Sequence, residues 1–128
     1  MIDTILLIDD DNIANYLHKR IIGKSGYVKN ISIATNGQDG LKQLQALYEQ
    51  GKAPAIILLD LKMPVMDGFA FLETYYGISR PPELPDSKII VLSSSSYAPD
   101  MERLRNLGIT TVLEKPLVAE KLNQHFVV

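Results

Sequence analysis

Ile56-Ile57-Leu58-Leu59-Asp60-Leu61-Lys62-Met63-Pro64-Val65-Met66-Asp67-Gly68 is the stretch that decides the fold. Its first four residues are all apolar, with no polar alternation, which describes a strand covered on both faces. Such a strand belongs inside a parallel sheet, and parallel neighbours need long crossovers, usually helices. The run ends on a carboxylate, Asp60. Pro64 and Gly68 then mark a loop, with Asp67-Gly68 reading as a turn and helix start.

Working outward, Ile5-Leu6-Leu7-Ile8 and Ile89-Ile90-Val91-Leu92 have the same uninterrupted apolar character. Ile31-Ser32-Ile33-Ala34 alternates and Thr111-Val112-Leu113 is short, so both suit sheet edges. Between these runs the apolar spacing becomes helical. Ile13, Leu17 and Ile21 form one stripe; Leu41, Leu44 and Tyr48 a second; Phe69, Leu72 and Tyr76 a third. Met101 and Leu104 precede Gly108, a helix stop, and Val118, Leu122 and Phe126 form a short last helix. Pro99 with Asp100 and Glu102 reads as a helix start, since early acids oppose the helix dipole. Gly77 to Ser87 is a longer loop with three prolines.

The order is βαβαβαβαβα, which implies an α/β domain with helices on both faces of a parallel sheet. Right-handed crossovers with strands one, three and four inside favour the order 2-1-3-4-5, a flavodoxin-like (βα)5 arrangement. Ligands in such sheets bind at the carboxyl ends of the strands, near the switch point between strands one and three.

Composition narrows the function. A chain of 128 residues suits one domain, taken as residues 1–128, and buries roughly two-thirds of its unfolded surface without staples. The absence of Cys removes thiolate catalysis and Cys-zinc sites. Net charge is −2, with 13 basic and 15 acidic residues and no basic run, which argues against nucleic-acid binding. Arg103 and Arg105 read as a solvated helix face. No leader-like N-terminus or spanning segment is visible, so the expectation is a soluble cytoplasmic protein without an output domain or membrane contact.

Chemistry concentrates at strand ends. Strand one ends in Asp9-Asp10-Asp11, strand three in Asp60, strand four in Ser93, and strand five leads into Lys115-Pro116. In the proposed order these share one sheet edge. Asp9, Asp10 and Asp60 then converge, and three carboxylates repel one another unless a cation lies between them. All-oxygen ligands call for a hard metal, Mg²⁺ being the natural choice. An ammonium from Lys115 and a hydroxyl from Ser93 beside a carboxylate suit the stabilisation of a phosphoryl group in transfer.

Ile8-Asp9-Asp10, the run Asp60 to Gly68 (D-x-x-M-P-x-x-D-G), Ser93 and Lys115-Pro116 together resemble the signature of response-regulator receiver domains, in particular single-domain chemotaxis regulators. The resemblance covers nearly the whole chain and implies a phosphoacceptor switch of a two-component phosphorelay. It implies Asp60 as nucleophile and phosphorylation site. Asp10 becomes a direct Mg²⁺ ligand, Asp9 a water-mediated or orienting one, and Lys62 a ligand through its carbonyl. Lys115 pairs with Asp60 and then with phosphoryl oxygens, and Ser93 hydrogen-bonds the phosphoryl group. Ser94 fits the small residue usual after it, and the run Ser93 to Ser96 offers backbone N–H groups. A cis Lys115-Pro116 peptide is also implied. Expected partners are a histidine kinase or phosphotransfer protein and a downstream protein target. Association of two copies through the fourth and fifth elements is left open. Many family members carry an aromatic where this chain has Val112, which bears on how the switch moves.

Other residues have plainer roles. Asp11 is a helix cap. Met63-Pro64 is loop packing, and the Lys62 side chain is exposed. His18 and His125 are surface or helix-face residues. Phe69-Phe71 and Tyr75-Tyr76 are core. Of the competing functions, a dehalogenase-type phosphatase needs a second Asp where Lys62 stands, and a cap domain. A flavodoxin-like electron carrier lacks a phosphate-binding loop after strand one. A receiver-like module without phosphorylation finds no support, because all key positions are present.

Overall fold

In the computed structural model, which describes residues 2–94 and 96–126, ten elements alternate as expected. They are β1 (Ile2–Ile8), α1 (Asn12–Ser25), β2 (Val28–Ala34), α2 (Gly37–Glu49), β3 (Ile56–Asp60), α3 (Gly68–Gly77), β4 (Lys88–Ser93), α4 (Ala98–Asn106), β5 (Val112–Glu114) and α5 (Ala119–Phe126). All sheet pairings are parallel and the order is β2-β1-β3-β4-β5.

Alternate strand residues feed two cores, as the two-residue side-chain period requires. Leu6, Ile8, Ile57, Leu59 and Val91 pack with Leu44, Phe71, Leu72 and Leu104, from α2, α3 and α4. Ile5, Leu7, Leu58, Ile90 and Leu92 pack with Ile22, Leu122 and Phe126, from α1 and α5. Both faces of β1, β3 and β4 are thereby dry, the physical reason their sequences are apolar throughout.

Helix starts are fixed by side chains that satisfy the first free N–H groups. Asp11 accepts from Ile13 and Ala14, Asn36 from Asp39, and Asp67 from Ala70. Pro99 and Asp100 occupy the first turn of α4, and Gly108 follows that helix with φ +85°.

Several expected stripes are displaced. On α1, Ile13 is 72% and Leu17 51% exposed, whereas Asn15, His18 and Ile22 are buried. The helix is rotated so that two polar side chains reach the loops above the sheet, and of the apolar stripe only Ile21 packs against the core. His18 is therefore a core residue, contrary to the surface reading. Tyr76 is exposed, while Tyr75 packs on the α2–α3 side, and Val118 lies outside α5 and is exposed. Strand β5 begins at Val112 and includes Glu114, one residue later than the apolar run suggests. Arg103 is more than a solvated side chain. It pairs with Glu73 at 2.8 Å and lies 4.2 Å above the Phe69 ring.

Gly68 permits β3 and α3 to meet. A Cβ there would lie 2.7 Å from the Asp60 carbonyl oxygen and 2.8 Å from Leu61 Cα, both backbone atoms that no rotamer change can move. Gly68→Ala is expected to cost about 1–3 kcal/mol in urea denaturation. Gly77→Ala, with nothing within 4 Å of its Cβ, is the matched control and should lose nothing. Equal midpoints for the two variants would show that the approach at Gly68 is not tight.

Candidate functional site

Parallel register brings the acidic residues together. Ile8 pairs with Leu59, so Asp9 and Asp60 follow at the same level of adjacent strands. Asp9, Asp10 and Asp60 each offer a carboxylate oxygen, all within 4.8 Å of one another. Asp9 and Asp60 are buried and Asp10 is exposed, so the cluster opens to solvent on one side.

Lys115 closes the other side. Its Nζ lies 2.6 Å from Asp9 Oδ2 and 3.3 Å from Asp60 Oδ1. The closer partner is Asp9, where the sequence had suggested Asp60. Burial by itself lowers the Lys115 ammonium, but its hydrogen bond to Asp9 and the charge of Asp60 outweigh this and raise its pKa. Burial pushes the Asp60 carboxyl up to about 6, and the neighbouring Asp9 charge adds to the rise. Lys115 and the backbone N–H of Lys62 hold it back. An uncompensated excess of negative charge around a buried carboxylate favours a bound cation, and the all-oxygen donor set fits Mg²⁺.

The remaining expected residues sit around this centre. Ser93 is buried at the end of β4, one position beyond the Asp60–Leu92 pair, and its carbonyl accepts the Lys115 N–H at 2.9 Å. Ser94 is exposed in the bend that follows, and Ser95, part of the suggested anion cradle, lies outside the described residues. The Lys62 side chain is exposed, as expected, and pairs with Asp100 in the first turn of α4 at 3.2 Å. That link between the β3–α3 loop and α4 has no sequence signal, because the two residues are remote in the chain. The Lys115-Pro116 peptide is cis. Val112 lines a cavity of about 240 Å³ together with Ser93, Met101 and Glu114.

Sequence reading missed Asn15 and His18. Asn15 Nδ2 donates to the Asp9 carbonyl at 2.8 Å, and His18 Nε2 accepts the Leu117 N–H at 3.2 Å. The available signal was their spacing with Ile22, which marks a helix stripe one residue out of phase with Ile13, Leu17 and Ile21.

A sequence model of the response regulator receiver domain matches residues 5–127. A probable methanogenesis regulatory protein, FilR2, of Methanothrix harundinacea is 31% identical over 122 residues, covering 94% of this chain and 76% of that protein. A protein-glutamate methylesterase/protein-glutamine glutaminase of Syntrophus aciditrophicus is 28% identical, covering 91% of this chain but 31% of its own length. The crystal structure of a two-component response regulator from Cytophaga hutchinsonii superposes with a TM-score of 0.85 at 33% identity, covering 96% of this chain and 92% of that one. Family match, strand order and relatives agree: this chain belongs to the response regulator receiver domain family.

Proposed function

We propose that the chain is the phosphoacceptor switch of a two-component phosphorelay, acting as one receiver domain in the cytoplasm. The observation that carries this reading is the placement of Asp60, buried at the carboxyl edge between Asp9, Asp10 and Lys115. The donor is a phosphohistidine on a histidine kinase or phosphotransfer protein. An Asp60 carboxylate oxygen attacks phosphorus, a P–O bond forms, and the departing imidazole keeps the electron pair of the P–N bond. Asp9, Asp10, Asp60 and the Lys62 carbonyl are the residues that would hold Mg²⁺, which supplies charge neutralisation when bound. Lys115 moves its ammonium from the Asp9–Asp60 pair onto the phosphoryl oxygens, with Ser93 and the Ser94 backbone as hydrogen-bond donors.

A protein donor must cover the rim of the site to reach Asp60. Ile13, Tyr16 and Leu17 are exposed on the helix that begins beside Asp10, and supply an apolar landing surface there. The output runs to a downstream protein through the β4–α4 loop, which begins after Ser93 and leads into α4, where Asp100 pairs with Lys62. The valine at position 112 leaves this loop, rather than an aromatic side chain, to carry the change. Asp60 turns over no outside substrate in this scheme. Among the described residues no helix is long and apolar enough to cross a membrane.

The test is intact mass after incubation with acetyl phosphate and Mg²⁺. The expected result is one added phosphoryl group per chain, absent when Mg²⁺ is chelated. A parent chain that binds Mg²⁺ yet gains no mass from acetyl phosphate or from any phosphohistidine donor would overturn the proposal.

A further inference from the structure

The proposed transfer starts with the Lys115 ammonium between Asp9 and Asp60, within reach of the incoming phosphoryl group, and Lys115 sits in a loop. On its amino side the backbone is pinned, because Lys115 N–H donates to the Ser93 carbonyl at 2.9 Å. On the carboxyl side Pro116 has no N–H, so Leu117 supplies the first amide donor after Lys115. That N–H donates to His18 Nε2 at 3.2 Å. Leu117 and His18 are both buried, so water does not readily substitute for the imidazole.

The imidazole must be neutral for Nε2 to accept, with its proton on Nδ1. Burial lowers the His18 pKa and so favours that state; Lys115 acts in the same sense, while Asp9 and Asp11 oppose it. Three residues earlier on the same buried face, Asn15 holds the Asp9 carbonyl. The rotation of α1 that exposes Ile13 and Leu17 is what delivers these two polar contacts.

We propose that His18 is a positioning residue for Lys115: by accepting the Leu117 N–H it fixes the backbone beyond Pro116 and holds the ammonium between Asp9 and Asp60. The kinetic part rests on the phosphoacceptor reading; the contact does not. Misplacement of a charged group by about 1 Å is enough to slow a reaction up to ~10²-fold.

The test compares the parent with His18→Leu, His18→Gln and His18→Asn. A Gln side chain can place its carbonyl oxygen near the position of Nε2; Asn is too short, and Leu has no acceptor. With acetyl phosphate at saturating Mg²⁺, the Leu and Asn variants should label about tenfold or more slowly. The Gln variant should recover most of the rate, and Mg²⁺ affinity should stay at the parent value in all three. The Leu117 amide should be protected from hydrogen exchange in the parent and Gln variant and exchange faster in the other two. If the Leu variant folds poorly, the Asn variant carries the same expectation. The proposal is overturned if folded Leu and Asn variants label at the parent rate. It is also overturned if Gln, with Leu117 protected, is as slow as Leu, or if Mg²⁺ affinity falls in step with the rate. If the parent itself is never labelled, the phosphoacceptor reading fails, and Leu117 exchange alone decides whether His18 fixes this loop.

Discussion

Asp60→Asn is expected to abolish phosphoryl labelling completely and, in the absence of metal, to make the protein more stable. The first effect follows because an amide cannot form the acyl phosphate. The second follows from linkage. The Asp60 carboxyl is raised in the folded protein from 3.8 to about 6, first by burial and then by the Asp9 charge. Between these values the unfolded chain has released the proton and the folded one has kept it. Parent stability therefore falls as pH rises through this window, and the full penalty is present above pH 6. A shift in this direction destabilises the parent by on the order of 1–3 kcal/mol. Asn retains the shape without the charge and escapes the penalty. Urea denaturation in EDTA should show the variant ahead of the parent at pH 7.5, with the difference closing as pH falls towards 4. A variant less stable than the parent at pH 7.5 would mean that Lys115 already compensates the site in full. Labelling of the variant at parent stoichiometry would place the nucleophile elsewhere.

Asp10→Ala should remove most of the Mg²⁺ affinity while leaving the fold intact. Asp10 is exposed, caps no helix, and lies in the acidic cluster with Asp9 and Asp60. Its loss should exceed the ~10–100-fold cost typical of removing an outer partner of a metal ligand. Thermal unfolding gives the readout. Mg²⁺ at a hundred times its Kd stabilises the parent by about 2.7 kcal/mol. At the same concentration the variant should show almost no shift in Tm, and without Mg²⁺ it should be no less stable than the parent, since one of three mutually repelling carboxylates is gone. An unchanged Mg²⁺-dependent shift would remove Asp10 from the ligand set and leave Asp9 and Asp60 to hold the cation.

Together the two variants separate the roles of the carboxylates. Asp60→Asn tests the acceptor, and Asp10→Ala tests the cation without touching the acceptor or Lys115. Asp9 serves less well as a probe. It is buried and bonded to Lys115, its carbonyl holds Asn15, and its carboxylate accepts the Asp11 N–H at 3.0 Å. Changing it would disturb the lysine, α1 and the helix cap at once.

The sequence by itself determined the strand order and the gathering of the site. Uninterrupted apolar runs in β1, β3 and β4 mark interior strands because both faces of each must be dry. Chain direction then puts Asp9, Asp60, Ser93 and Lys115 at one edge, since parallel strands end on the same side. The caps Asp11 and Asp67 were legible for a similar reason, their bonds closing within three residues. What only the tertiary structure decided was the phase of α1, the choice of Asp9 as the nearer partner of Lys115, the Lys62–Asp100 pair and the burial of His18. Each depends on contacts between residues far apart in the chain. On α1 the apolar stripe of Ile13, Leu17 and Ile21 was the stronger local pattern. The packed helix instead buries Asn15 and His18, because loop carbonyl and amide groups above the sheet need partners that no apolar side chain can provide.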